Sequence, residues 1–248
     1  MKKLSLIGRK TYKYNENITI IIPTLDMLRG ENDSDENLFW EDINLFTNTP
    51  DMFISELDSM GIDFERTSDY TLFILMLQIQ QQSGKCSTFL FKDLNLYELQ
   101  PKTIVENNRE SVVLANQNGE MIFNEQIYND VSEIICYIVG HKKPPRKKIG
   151  NRLAKQKRIE YDREKKARQS KKENKESENF LDGVILRLVC NSNFPYDFET
   201  IGNVTIFNII YSLKQIEKDL QVTDVMQTRL VGNDLSKLPR EELSRFIL

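Results

Sequence analysis

Charge divides this 248-residue chain into three parts of alternating sign. Residues 1–140 hold 11 Lys and Arg against 22 Asp and Glu, a net of −11. Residues 141–175 hold 16 against 4, a net of +12, and residues 176–248 hold 7 against 11, a net of −4. The whole-chain charge of −3 conceals this arrangement. It constrains the fold, because a basic bridge between acidic parts must stay solvated, dock on an acidic partner or dock on the acidic body itself. The division predicts an acidic α+β domain at 1–140, a basic linker and helix at 141–177 and a small C-terminal helical domain at 178–248. The expected class is α+β, mainly helical. With 40% hydrophobic residues the chain can bury a sizeable core.

The N-terminal part carries both periodicities. Residues 12–22 end in Ile18-Thr-Ile-Ile-Ile22 before Pro23, a β-branched run closed by proline that predicts a strand. Residues 37–46 repeat apolar side chains at helical spacing. Thr49-Pro50 reads as a helix start, with Thr49 as the cap and Gly61 as the stop. Ser68 is placed to cap a largely apolar helix over 69–82. Residues 88–91 form a short strand candidate. Residues 111–123 carry two apolar runs around Asn116-Gln-Asn-Gly119, the pattern of a hairpin. Asn124 caps a further amphipathic helix that Gly140 closes. Pro144-Pro145 then excludes a helix interior. Helical residue types dominate 150–175, with Leu153, Ile159 and Tyr161 as the larger apolar side chains. Apolar helices return at 178–191 and from 204 to 220, the latter with scope to run on to 230. Pro239 opens a last short helix. Three helices in about 70 residues form a marginal bundle if left alone.

The residue types required for catalysis do not converge in the sequence. His141 is the single histidine and lies beside the Pro-Pro linker, a poor setting for a metal ligand or general base. Phosphate-loop, GxSxG and HExxH patterns are absent. The acidic run at 30–36 lacks the Gly and Glu spacing of a Ca²⁺-binding loop. Asp26, Arg29, Asp58 and Asp63 have no acid–base spacing, so structural ion pairs are the expected use. Cys86, Cys136 and Cys190 are odd in number and far apart, which fits free thiols in a reducing compartment. No apolar stretch of signal-peptide or membrane-spanning length is present, so the expected location is the cytoplasm of the producing cell. The expectation is a protein that is not an enzyme and holds no cofactor or metal.

Two surfaces are candidates for partner binding. The first is basic and includes Arg146, Lys147, Lys148, Arg152, Lys155, Arg158 and Arg163. Its charge suits phosphates or an acidic protein. Tyr161 is its one aromatic residue, which gives no stacking platform for single strands, and the acidic flanks disfavour DNA. The same flanks offer an intramolecular docking site. The second surface is apolar and comprises Phe207, Ile210, Leu213 and Phe246, which can equally be C-terminal core.

Four strings in order carry a family resemblance: Ile22-Pro-Thr-Leu-Asp-Met-Leu-Arg-Gly30; Leu57-Asp-Ser-Met-Gly-Ile-Asp-Phe64 with the helix opening Asp69-Tyr-Thr-Leu-Phe-Ile-Leu75; Gly150-Asn-Arg-Leu-Ala-Lys-Gln-Lys-Arg-Ile-Glu-Tyr-Asp-Arg163; and Asn233-Asp-Leu-Ser-Lys-Leu-Pro-Arg-Glu-Glu-Leu243. Together they resemble a family encoded in the structural gene modules of tailed phages of low-GC Gram-positive bacteria. The resemblance implies a tail assembly chaperone that binds other tail proteins, the tape measure protein foremost, in the host cytoplasm. A structural tail or baseplate component of the virion is the first alternative. A nucleic-acid-binding regulator acting through the basic segment is the second. Association with a second copy of the chain is left open.

Overall fold

The run expected as one strand over 12–22 is folded back on itself. The computed structural model describes residues 5–29, 34–83, 89–106, 109–146, 150–170, 180–191 and 194–230. In it β1 (Thr11–Lys13) pairs antiparallel with β2 (Thr19–Ile21). The polar triplet Asn15-Glu16-Asn17 makes the reversal. The Asn15 side-chain oxygen accepts from the N–H groups of Asn17 at 2.9 Å and Ile18 at 2.7 Å, a local bond that competes with strand continuation.

Helices α1 (Leu25–Arg29), α2 (Ser34–Thr47), α3 (Ile54–Ser59) and α4 (Asp69–Ser83) follow. Ser68 caps α4 as expected, its Oγ accepting from the Thr71 N–H at 3.1 Å. Gly61 leaves α3 with φ +72°, a conformation that glycine adopts without strain. Thr49 departs from expectation. Pro50 opens a 3₁₀ turn, Pro50–Met52, and the Thr49 side chain makes no capping bond. α3 begins at Ile54, behind Phe53, a residue with no capping group.

A three-stranded antiparallel sheet comes next, in the order β3 (Gln100–Glu106), β4 (Arg109–Ala115), β5 (Met121–Phe123). The hairpin expected at 111–123 is β4–β5, turned through Asn116 and Gly119. β3 is an addition. Pro101 argues against a strand in sequence, but β3 is an edge, where a missing N–H is tolerated. The strand candidate at 88–91 reduces to one bridge, Phe91 to Ile20, and residue 88 lies outside the described residues.

α5 (Glu125–Ile138) is capped by Asn124, whose Oδ1 accepts from the Ile127 N–H at 2.8 Å. It ends in a Schellman motif. The His141 N–H bonds to the Cys136 carbonyl at 2.8 Å, the Gly140 N–H bonds to Tyr137 at 3.3 Å, and Gly140 has φ +64°. α6 (Arg152–Ser170), α7 (Phe180–Val189) and α8 (Ile206–Leu230) complete the order. The result is a mainly helical α+β fold, with eight α-helices and two small sheets among the described residues. None of these helices is long and apolar enough to cross a membrane. The helix expected after Pro239 lies outside the described residues.

The core is centred on an aromatic cluster. Phe46, Phe73, Phe91, Phe123, Tyr70 and Tyr128 are buried, with ring centroids 4.9–6.3 Å apart. The boundary expected at residue 178 marks a change of charge rather than of core. Val184, Ile185, Leu188, Ile201, Ile206, Phe207 and Ile209 belong to the same buried cluster as the N-terminal hairpin. The backbone is joined there too: Leu25 N–H bonds to the Val204 carbonyl at 3.1 Å, and Ile206 N–H to Pro23 at 2.9 Å. α7 and the first turns of α8 cannot cover their apolar faces between them, so they complete a larger core instead.

Candidate functional site

Helix α6 lies against the acidic body. Five ion pairs cross from it to the segment 51–65. Lys155 Nζ meets Asp63 at 2.5 Å and Glu65 at 3.5 Å, Arg158 meets Asp51 at 3.4 Å, Arg163 meets Asp58 at 2.8 Å, and Lys166 pairs with Glu56. One large apolar side chain of α6 is buried in this contact. Ile159 packs with Ile54, Leu57, Phe64 and Leu72 in a small cluster separate from the main core. Asp162 supplies what α3 lacks. Its Oδ2 accepts from the Ser55 hydroxyl at 2.7 Å and the Ser55 N–H at 3.2 Å, in the first turn of α3. Upstream, Arg146 donates to the carbonyls of Thr67 at 2.8 Å and Phe64 at 2.6 Å.

The ionisation of these groups follows from the pairing. The hydrogen bond from Lys155 holds the Asp63 carboxyl below its ordinary range, and Asp63 in turn raises Lys155. At Glu56 and Asp162 partial burial pushes upward. Hydrogen bonds from Lys166 and Ser55 outweigh it, so both carboxyls end lower than usual. Burial lowers Lys166, but Asp162 and Glu56 more than compensate and raise it. Lys155 with Asp63, and Lys166 with Glu56 and Asp162, are therefore charged pairs at neutral pH. The side chains keep between 13% and 54% of their surface in solvent, so each pair contributes only about 0.2–1 kcal/mol.

A second feature is an open cleft of about 780 Å³ between the C-terminal half of α5, the chain 138–143 and the start of α8. Its floor is apolar and aromatic. Tyr137 and Phe207 stand 5.5 Å apart, and Phe207 stacks on Tyr211 at 5.9 Å. Ile210, Ile138 and Cys136 complete the floor. His141, Lys142, Lys143 and Lys214 line it as well, together with the acids Asp69 and Glu133. Lys143 is paired with Asp69 at 3.1 Å and lies over the Tyr128 ring at 5.2 Å. Lys214 donates to the Gly140 carbonyl at 3.1 Å, which ties α8 to the end of α5. Burial pushes the Cys136 thiol up, the opposite of the shift that activates a nucleophile. Among the described residues no group of three or more His, Cys, Asp and Glu is arranged to hold a metal.

The sequence candidates are distributed over both features. Arg146, Lys155, Arg158 and Arg163 face the acidic body rather than open solvent. Arg152 is exposed at the start of α6. Phe207 and Ile210 line the cleft, whereas Leu213 packs against the main core. Lys147, Lys148 and Phe246 lie outside the described residues. Asp58 and Asp63 serve as ion-pair partners. Tyr137, Tyr211, Lys142 and Lys214 had no sequence signal, because the cleft joins helices about 70 residues apart. Comparison with protein-family models, with curated proteins and with solved structures finds no match to this chain.

Proposed function

We propose that this protein is a non-enzymatic tail assembly factor that holds apolar segments of other tail proteins, the tape measure protein foremost, in the cleft between α5 and α8. The cleft carries this reading. Its volume lies in the range of sites that enclose a ligand, here several large side chains. An apolar lining with Lys142 and Lys214 exposed at its edge suits a partner helix whose aromatic or aliphatic anchors are flanked by Asp or Glu, kept clear of Glu133. The phage context rests on the four sequence strings. The protein acts, on this reading, in the host cytoplasm before the particle is complete. The nucleic-acid alternative loses support, because Lys155, Arg158, Arg163 and Lys166 already face carboxylates.

The test is co-expression with the tape measure protein of the same gene module, followed by affinity capture. Tyr211 and Lys142 are exposed, so Tyr211→Ala and Lys142→Glu leave the core intact. Capture is expected to fall by about tenfold for each, the effect of roughly 1.4 kcal/mol at an anchor. Absence of capture by the unaltered protein, or capture indifferent to both substitutions, overturns the proposal. Mass spectrometry of purified particles decides the alternative: stoichiometric recovery assigns the chain to the virion.

A further inference from the structure

The contact between α6 and the body differs in kind from that of α5. α5 commits Tyr128, Val131, Ile134, Ile135 and Ile138 to the core, all buried. α6 is longer, at 19 residues, yet buries one large apolar side chain, Ile159, while Leu153 and Tyr161 stand 63% and 68% exposed. Its remaining attachments are polar and partly hydrated, the chemistry of reversible contacts rather than of permanent cores. The surface beneath it is shaped for that chemistry. Ile54, Leu57, Phe64 and Leu72 form an apolar patch, and Asp51, Glu56, Asp58, Asp63 and Glu65 surround it.

We propose that this face of α3 and α4 is a receptor surface for basic amphipathic helices, and that α6 is a built-in competitor that a partner's helix of the same chemistry displaces. The occupant is specified by what α6 presents. It has one aliphatic anchor, cations four and one positions before it and four and seven after it, and an acid three positions after it to meet the Ser55 N–H. Helical spacing places these groups on one face. Displacement leaves the buried residues of the main core in place, since those around Ile159 form a separate cluster that meets it at the partly buried Met76. It also frees the cations of α6, so the exchange couples loss of an internal contact to gain of an external one. An internal occupant reduces the apparent affinity for a partner by the fraction of time that the face is covered.

The experiment uses the full chain and a fluorescent synthetic peptide with the sequence of residues 152–170. Amide exchange of the full chain is followed across a salt series. Protection of α6 is expected to fall as salt rises, while protection of α5 holds. The peptide is then titrated at low salt against the unaltered protein and two variants with a weakened internal contact, Ile159→Asp and the pair Arg158→Glu with Lys166→Glu. Both variants are checked for folding by circular dichroism. Binding about tenfold tighter to a folded variant than to the unaltered protein is expected. Binding should weaken with salt and vanish for a peptide whose four contacting cations are replaced by Glu. Salt-independent protection of α6, failure of the peptide to bind either variant, or equal binding to variant and unaltered protein overturns the proposal.

Discussion

Ile159→Ala measures how α6 is held. The substitution removes three carbons from a side chain that is 8% exposed. At about 0.8 kcal/mol for each, the transfer contribution is about 2.4 kcal/mol. In a rigid core a cavity cost would be added, and isoleucine to alanine would reach as much as about 5 kcal/mol. Here α6 can lift away, so the cost is bounded by the docking energy. That energy comes from Ile159, about 1.5–3 kcal/mol, and from five pairs of about 0.2–1 kcal/mol each, less the ordering of the helix. A loss of about 2.4 kcal/mol raises the local opening of α6 by about 60-fold. The assay is amide hydrogen exchange resolved by peptide. Exchange in α6 should accelerate by that factor, while α5, whose Ile135 is fully buried, changes little. Equal acceleration in α5 and α6 would show that α6 melts only with the whole protein, and the reasoning would be wrong.

Three further outcomes are expected. Gly140→Ala puts a side chain where φ is +64° and where Ile210 and Lys214 already approach, so the melting temperature should fall by an amount equivalent to about 1–3 kcal/mol; an unchanged transition would refute the Schellman assignment. Phe207→Ala should cost about 3–5 kcal/mol in denaturant unfolding and Tyr211→Ala less than about 1, because Phe207 is 4% exposed and Tyr211 49%; similar costs would refute the placement of Phe207 in the shared core. The α6 contact should depend on pH at both ends. Asp63, Glu56 and Asp162 are lowered from ordinary values of 3.8, 4.5 and 3.8, so their contribution is complete above those values and lost as pH falls through the folded ones. Lys155 and Lys166 are raised from 10.5, so theirs is complete below that value and lost as pH rises through the folded ones. Intrinsic-rate-corrected exchange of α6 that is flat from acid to alkali would refute the pairing.

What could be read in the sequence was what local chemistry decides. Ser68 and Asn124 are caps, and Gly61 and Gly140 are stops, because each satisfies a helix end with its own few atoms. Tertiary placement defeated the other local readings. Thr49 makes no capping bond because Pro50 opens a tighter turn, and Asp162 reaches the start of α3 from 107 residues away. Pro101 concealed an edge strand, since its tolerance depends on having no neighbour on one side. The opposed charges at 1–140 and 141–175 did foreshadow docking of α6, but nothing in the sequence set Ile159 apart from Leu153 and Tyr161 as its anchor. The cleft had no comparable signal. Tyr137 and Tyr211 share a site only because the fold brings α5 and α8 together.

The backbone bonds that join Pro23 and Leu25 to Val204 and Ile206 bear on synthesis. A ribosome making roughly 5–20 residues per second needs roughly 10–40 s to pass from residue 25 to residue 209. Throughout that interval Ile20, Ile22 and Leu25 have emerged while the segment that seals them has not been translated. The nascent chain therefore carries an unsealed apolar seam for most of its elongation. A messenger that is translated slowly between those points would lengthen the exposure and favour aggregation or capture by chaperones.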